Sequence, residues 1–392
     1  MNDLPALTDV EIAWGWPYGI DPSVPARPPS AQPTARSVFD GIIRDALVSG
    51  SCAVSFSGGR DSSAVLAVAV DVARREGLPL PAAVTFHYPG DADADEREWQ
   101  ELVVRHLKVD DWQRVDASEG TDLLGAAATE ALRAAGRPIF PAAAGLWPWR
   151  VQQHSADVWL TGEYGDNVMG VQRATPISHL VRRRGRVRAP YWWAAAMALA
   201  PSPVWARYSL GDDSSLPWLR PEVVPLRRAA ARADALTEPR WWDDNVWHVG
   251  RVRSVTMGNR VVHALAAGAG ATLVEPFGTD AFRAAWAREG GRLGFPGRTA
   301  AMRSLFADVL PEAILARQTK ATFNAGLVGP ATREFIDGWT GSGVDSDLVD
   351  PEQLAANWQT GSPHALSLLL MQQAWLAQTG AQGAPAPTGG SS

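Results

Sequence analysis

Hydrophobic residues in the first part of the chain switch repeatedly between two spacings. Val38, Ile42, Ile43, Ala46 and Leu47 recur at helical intervals, so residues 38–49 are predicted to form an amphipathic helix. Ala53 to Phe56 is short, apolar and β-compatible, and reads as a buried strand. It is followed, after a small-residue loop, by a helix with almost no polar face that ends near Gly77. The alternation then repeats: a strand at Ala82 to Phe86, a helix at Trp99 to Leu107, and a third strand from Trp112 to Val115. A helix over 121–135 ending at Gly136 and a fourth strand, Asp157 to Leu160, complete the series. Short strands alternating with helices predict an α/β fold built on a doubly wound parallel sheet, with a largely helical C-terminal part.

Organisation outside this core follows from composition. Residues 1–36 are rich in proline and aromatics and read as an irregular lead-in; 37–378 form the predicted domain, and the Gly/Ala/Pro/Ser-rich residues 379–392 a disordered tail. A net charge of −6 argues against nucleic acid as partner, and the single cysteine, Cys52, excludes a disulfide framework or a cysteine zinc site. The opening Met1-Asn2-Asp3-Leu4-Pro5 lacks the basic and apolar regions of a signal peptide. No apolar stretch approaches the roughly 20 residues that span a bilayer, so a cytoplasmic location without membrane partners is expected. Lys108 and Lys320 are the only lysines, which sets each apart in an arginine-rich chain. Seven tryptophans (Trp192, Trp193, Trp205, Trp218, Trp241, Trp242, Trp247) fall between residues 190 and 250; most are expected in the core, with an apolar substrate pocket as the alternative.

The loop after the first strand carries the strongest chemical signal. Ser57-Gly58-Gly59-Arg60-Asp61-Ser62-Ser63 joins strand to buried helix. Glycines let backbone N–H groups approach a ligand, the helix start adds unpaired donors, and the serines add hydroxyls; together these favour phosphate. Asp61 would repel phosphate unless a divalent cation lay between them, so the pattern asks for a nucleotide pyrophosphate with Mg²⁺. The commoner P-loop needs Gly-Lys-Ser/Thr, and neither lysine follows a glycine. The segment instead resembles the PP-loop of ATP pyrophosphatases, which cleave ATP between its α and β phosphates.

A second apolar strand runs into a glycine-bearing acidic turn at Thr161-Gly162-Glu163-Tyr164-Gly165-Asp166-Asn167. Ligands of open α/β sheets bind beyond the carboxyl ends of strands, so Asp166 is expected to face Asp61 and share one Mg²⁺ with it. The acidic residues 88–96 read as a solvated helix start rather than a metal loop. Five arginines at 182, 183, 184, 186 and 188 read either as a solvated loop or as a segment that meets phosphate or an acidic substrate.

Taken with these motifs, Val274-Glu275-Pro276-Phe277-Gly278-Thr279-Asp280, Arg298 to Arg303 and Arg317-Gln318-Thr319-Lys320-Ala321-Thr322-Phe323 resemble, in order, segments of the asparagine synthetase family's synthetase domain. The resemblance covers roughly residues 37–375. It implies a sheet of PP-loop ATP pyrophosphatase type, ATP and Mg²⁺ as cofactors, and metal binding by Asp61 and Asp166. Implied nucleotide contacts are Ser55, Ser57, Gly58, Gly59, Asp61, Ser62, Ser63, Val84, Thr161, Gly162 and Arg298. Lys320 is the implied cation at the acyl centre, and Glu163, directly or through Tyr164, the implied proton acceptor from the attacking amine. Departures from the family matter as well. No cysteine nucleophile opens the chain, Asn167 replaces the family's usual Glu, and Val274 stands where the family has arginine. Glutamine hydrolysis and aspartate as substrate are therefore not expected. The resemblance points to an AMP-forming amide ligase coupling a carboxylate to a substrate amine on a peptide or small molecule, as β-lactam synthetases and lasso-peptide macrolactam cyclases do. Ammonia-dependent amidation and tRNA modification by a PP-loop enzyme are the alternatives.

Overall fold

The computed structural model describes residues 4–28, 33–89, 95–118, 120–182, 189–210, 216–319 and 325–380. Lys320, Phe323, the arginines at 183, 184, 186 and 188, residues 90–94 of the acidic loop and residues 381–392 of the tail lie outside the described residues. Five strands form one sheet: β1 (Cys52–Ser55), β2 (Ala82–His87), β3 (Trp112–Asp116), β4 (Val158–Thr161) and β5 (Thr272–Val274), in the order β3-β2-β1-β4-β5. Every pairing is parallel. The sheet is doubly wound, as its sequence pattern predicts: the chain leaves β1 for β2 and β3 on one side, then returns to place β4 and β5 on the other.

Alternation along the strands sends successive side chains to opposite faces. Val54 and Leu160 enter one apolar layer, Ala53 and Trp159 the other. The first layer is closed by the helix Arg60–Glu76, buried along most of its length, and by the helix Ala35–Ser49. Phe39 of the latter packs its ring 4.8–5.4 Å from Phe277, Phe282 and Phe306. The second layer takes in Ile12, Trp14 and the C-terminal helix Leu368–Thr379. The lead-in is thus not wholly irregular. Asp9–Trp14 is helical because Thr8 and Glu11 form a capping box, and its apolar face lies in this layer.

Two further expectations need correction. The helix predicted over 121–135 spans Ala126–Ala135. Asp122 is drawn out of it by a distant segment, its carboxylate accepting from Ala331 N at 2.7 Å and Thr332 N at 3.2 Å. Of the seven clustered tryptophans, Trp218, Trp242 and Trp247 are buried, Trp205 and Trp241 lie under Arg173 and Arg292, and Trp192 and Trp193 are exposed. No helix among the described residues is long and apolar enough to cross a membrane.

Candidate active site

Parallel winding brings two loops side by side, because Ser55 at the end of β1 is paired with Thr161 at the end of β4. This is the switch point where strand order reverses, the usual ligand crevice of such sheets. The first loop holds its shape through its own serines. Ser62 Oγ accepts from Ser57 N at 3.2 Å, lies 3.0 Å from Ser57 Oγ and donates to Gly59 O at 3.2 Å. Gly58 is left-handed (φ +86°), and a Cβ there would come within 2.8 Å of the Gln100 side chain, so any other residue would be strained and would displace Gln100.

A brace that sequence reasoning missed fixes the loop from below. Arg317 is buried, holds both carboxylate oxygens of Glu96, donates to Gly58 O at 3.0 Å and stacks 4.7 Å over Trp99. Gln100 donates to Ser57 O at 3.0 Å. The acidic stretch read as a solvated helix start therefore contributes Glu96 to a buried ion pair. The helical period placing Glu96, Trp99 and Gln100 on one face is the signal that could have found it.

The second loop packs directly on the first. A Cβ on Gly162 would sit 2.5 Å from Ser62 N, and one on Gly165 would sit 2.3 Å from Asp61 Cγ. Asp61 and Asp166 consequently converge on one cation, the Arg298 guanidinium. It donates to Asp61 Oδ2 at 2.5 Å and, through its other terminal nitrogen, to Asp166 Oδ1. Asp61 Oδ1 is buried without a hydrogen-bond partner among the described residues. Arg60 lies close by, its Nη1 also buried without a partner; burial first, and then the positive charge of Arg298, depress its pKa.

Ser55, Ser57, Asp61, Ser62, Thr161, Gly162, Glu163, Tyr164 and Asp166 line one cleft of about 350 Å³. Phe86, Tyr88, Trp147 and Arg150 join them, so the tryptophan in the cleft comes from residue 147 and not from the 190–250 cluster. The Arg150 guanidinium lies 5.4 Å over Trp147 and 5.8 Å over Phe86. Gly58 and Gly59 shape the loop, whereas the side chains of Ser63 and Val84 are fully buried, away from the cleft. Neither of these two residues lines the cleft.

Glu163 is exposed and lines the cleft. Tyr164 differs. It adopts a left-handed backbone (φ +67°), and its ring lies where a Cβ on Gly278 would come within 2.5 Å. Its phenol meets Asn259, and burial first, then the charge of Glu275, pushes its pKa upward. Asn259 in turn donates to Glu275 Oε2 at 2.8 Å, which also meets His263 Nε2 at 2.6 Å. Such a phenol stays protonated near neutrality and anchors the turn.

Among the described residues no cluster of three or more His, Cys, Asp or Glu side chains forms a metal site. The Asp61–Asp166 pair nevertheless fits Mg²⁺, which takes one or two carboxylates and completes its shell with water and phosphate oxygens. The unpartnered Asp61 oxygen fits the same donor set.

The asparagine synthase family model matches residues 35–267, more than half of the chain, spanning both loops and the first four strands. No curated protein matches it significantly. With the sheet order, the serine–glycine loop and the facing acidic turn already in place, this match shows that the chain belongs to the asparagine synthase family, whose members are ATP-using carbon–nitrogen ligases.

Proposed function

We propose that this protein is an AMP-forming amide ligase that adenylates a carboxylate and couples it to an amine of a peptide or natural-product precursor, in a macrolactam or β-lactam type of cyclisation. One observation carries the reading. Two carboxylates about 100 residues apart in sequence are brought by adjacent strand ends onto a single cation at a cleft wall. Magnesium bound to a nucleotide triphosphate is held through one or two carboxylates, which this pair could supply.

The residues divide the work. The backbone of loop 57–63 and the Ser57 and Ser62 hydroxyls would receive the β- and γ-phosphates, with Arg60 supplying positive charge. Asp61 and Asp166 would hold Mg²⁺, whose contribution is to neutralise the departing pyrophosphate. The substrate carboxylate oxygen attacks the α-phosphorus and pyrophosphate leaves. The amine nitrogen then attacks the acyl carbon, AMP leaves, and the surplus proton passes to Glu163. Lys320, three residues beyond the buried Arg317, is the proposed cation for the tetrahedral intermediate and the departing phosphate. The aromatic wall of Phe86, Tyr88 and Trp147 suits a substrate with substantial apolar surface.

The test is turnover of ATP with candidate precursor peptides, scoring AMP plus pyrophosphate against ADP, with mass spectrometry for loss of one water. Release of ADP and phosphate would sink the proposal. Product formation only with added ammonium salt would replace it with ammonia-dependent amidation.

A further inference from the structure

Arg298 and Arg317 are both arginines beside the PP-loop, yet they are held in different ways. Arg317 is tied to Glu96, Gly58 O, Thr319 and the Trp99 face. Arg298 is held by its two terminal nitrogens, one on Asp61 and one on Asp166, while its Nε is buried with no partner among the described residues. Without a cation between them, two carboxylates that converge on one group would repel each other in a partly buried site. The guanidinium removes that repulsion, but it occupies the oxygens a divalent ion would need.

Arg298 stands at a helix start, with a side chain that is largely buried. It is the first residue of the helix Arg298–Phe306, after left-handed Gly294 (φ +64°) and Gly297 (φ +103°). A side chain at a helix start can turn without breaking helical hydrogen bonds. Arg60 stands near enough for the two positive charges to repel, an arrangement relieved when a polyanion enters.

We propose that Arg298 is the resident counter-ion of the Asp61–Asp166 pair, exchanged for a divalent cation when the nucleotide arrives and passed to the nucleotide's phosphates. The inference rests on the proposed metal–nucleotide role of this pair. It has a consequence that role does not require: metal and nucleotide bind cooperatively, because the phosphates draw away the group that blocks the metal. Such coupling is reciprocal.

Mn²⁺ binding to the full-length protein, followed by electron paramagnetic resonance without nucleotide, tests this. Arg298→Gln should bind Mn²⁺ about tenfold more tightly than wild type, since two charge-assisted contacts no longer compete. Adding Asp61→Asn to that variant should abolish the gain. Arg298→Lys keeps the charge but cannot span both carboxylates, and should fall between; it covers the case in which the Gln variant folds poorly. The non-hydrolysable α,β-methylene analogue of ATP should tighten Mn²⁺ binding in wild type and do so much less in Arg298→Gln. Equal or weaker Mn²⁺ binding by a folded Arg298→Gln protein overturns the exchange and leaves the metal assignment standing. Absence of Mn²⁺ binding by wild type even with the analogue overturns both.

Discussion

Gly165→Ala isolates the convergence of Asp61 and Asp166 from the rest of the fold. The added methyl would lie 2.3 Å from Asp61 Cγ and 2.6–2.7 Å from its two oxygens. Carbon atoms settle at about 3.5–4.0 Å, so the carboxylate must retreat by about 1 Å. Asp61 has only two rotatable bonds with which to retreat, and its Oδ2 is engaged by Arg298. A misplacement of about 1 Å at a reacting centre can cost about 10²-fold in rate.

Stability should move much less. Gly165 opens the short helix Gly165–Met169 and has no left-handed φ. Alanine in a compatible helical position stabilises by about 0.4–1 kcal/mol through the unfolded chain, against about 1–3 kcal/mol for a local clash. The expected result is a melting curve close to wild type, with binding of the magnesium–α,β-methylene ATP complex by calorimetry and AMP release both reduced about 100-fold. Gly268→Ala, whose new methyl meets nothing within 4 Å, is the control and should change neither. Wild-type nucleotide affinity and turnover in Gly165→Ala would refute the idea that the Asp61 carboxylate must sit where it does.

Three further outcomes follow from groups that are buried or partly buried. Arg317→Met strands Glu96 in the interior, which should lower stability by about 3–5 kcal/mol in urea unfolding. Adding Glu96→Leu should recover much of this, and a single variant with an unchanged midpoint would contradict the brace. Burial pushes the Cys52 thiol up to about 12, so native protein at pH 8 should resist a thiol-reactive disulfide reagent that labels it at once in denaturant. Rapid native labelling would show that the start of the central strand β1 opens. His263 has its pKa raised above 6.5 by its bond to Glu275. Its contribution to stability is therefore complete below the unfolded value and disappears as pH rises through the folded one. Urea midpoints should fall across that window, and His263→Gln should flatten the slope; the same slope in both proteins would remove His263 as its source.

What the sequence made legible was whatever depends on neighbours along the chain. The strand, glycine turn and buried helix at 53–77 could be read because periodicity and turn chemistry agree there. Residues 161–167 could be read for the same reason. Contacts across more than a hundred residues could not. Nothing local says that Arg298, expected on the nucleotide, lies on the carboxylates. Nothing local says that Glu275, within a motif matched for its Pro-Phe, gathers Asn259, His263 and Tyr164. Arg150 and Trp147 were invisible because a cleft wall carries no periodic signature. The early start predicted for the helix Ala126–Ala135 failed because Asp122 answers to backbone groups at 331 and 332 rather than to its own segment.

These long-range contacts give the cleft a charge balance that neighbouring residues alone do not suggest. Arg60, Arg298 and Arg317 stand against Asp61, Asp166 and Glu96, three positive groups and three negative ones around one loop. A divalent cation arriving alone meets carboxylates already neutralised, and a triphosphate arriving alone meets two carboxylates beside its binding loop. Each is disfavoured singly. Together they re-pair the existing charges, metal with Asp61 and Asp166, phosphate with the freed guanidinium. On the proposed exchange, a site so balanced would discriminate against free nucleotide and against free metal, and would commit its charges only when both are present. For the amide ligase proposed above, whose acyl-adenylate would be open to hydrolysis, that order of assembly has chemical value. Adenylation is then confined to complexes in which the charge of the departing pyrophosphate is already neutralised.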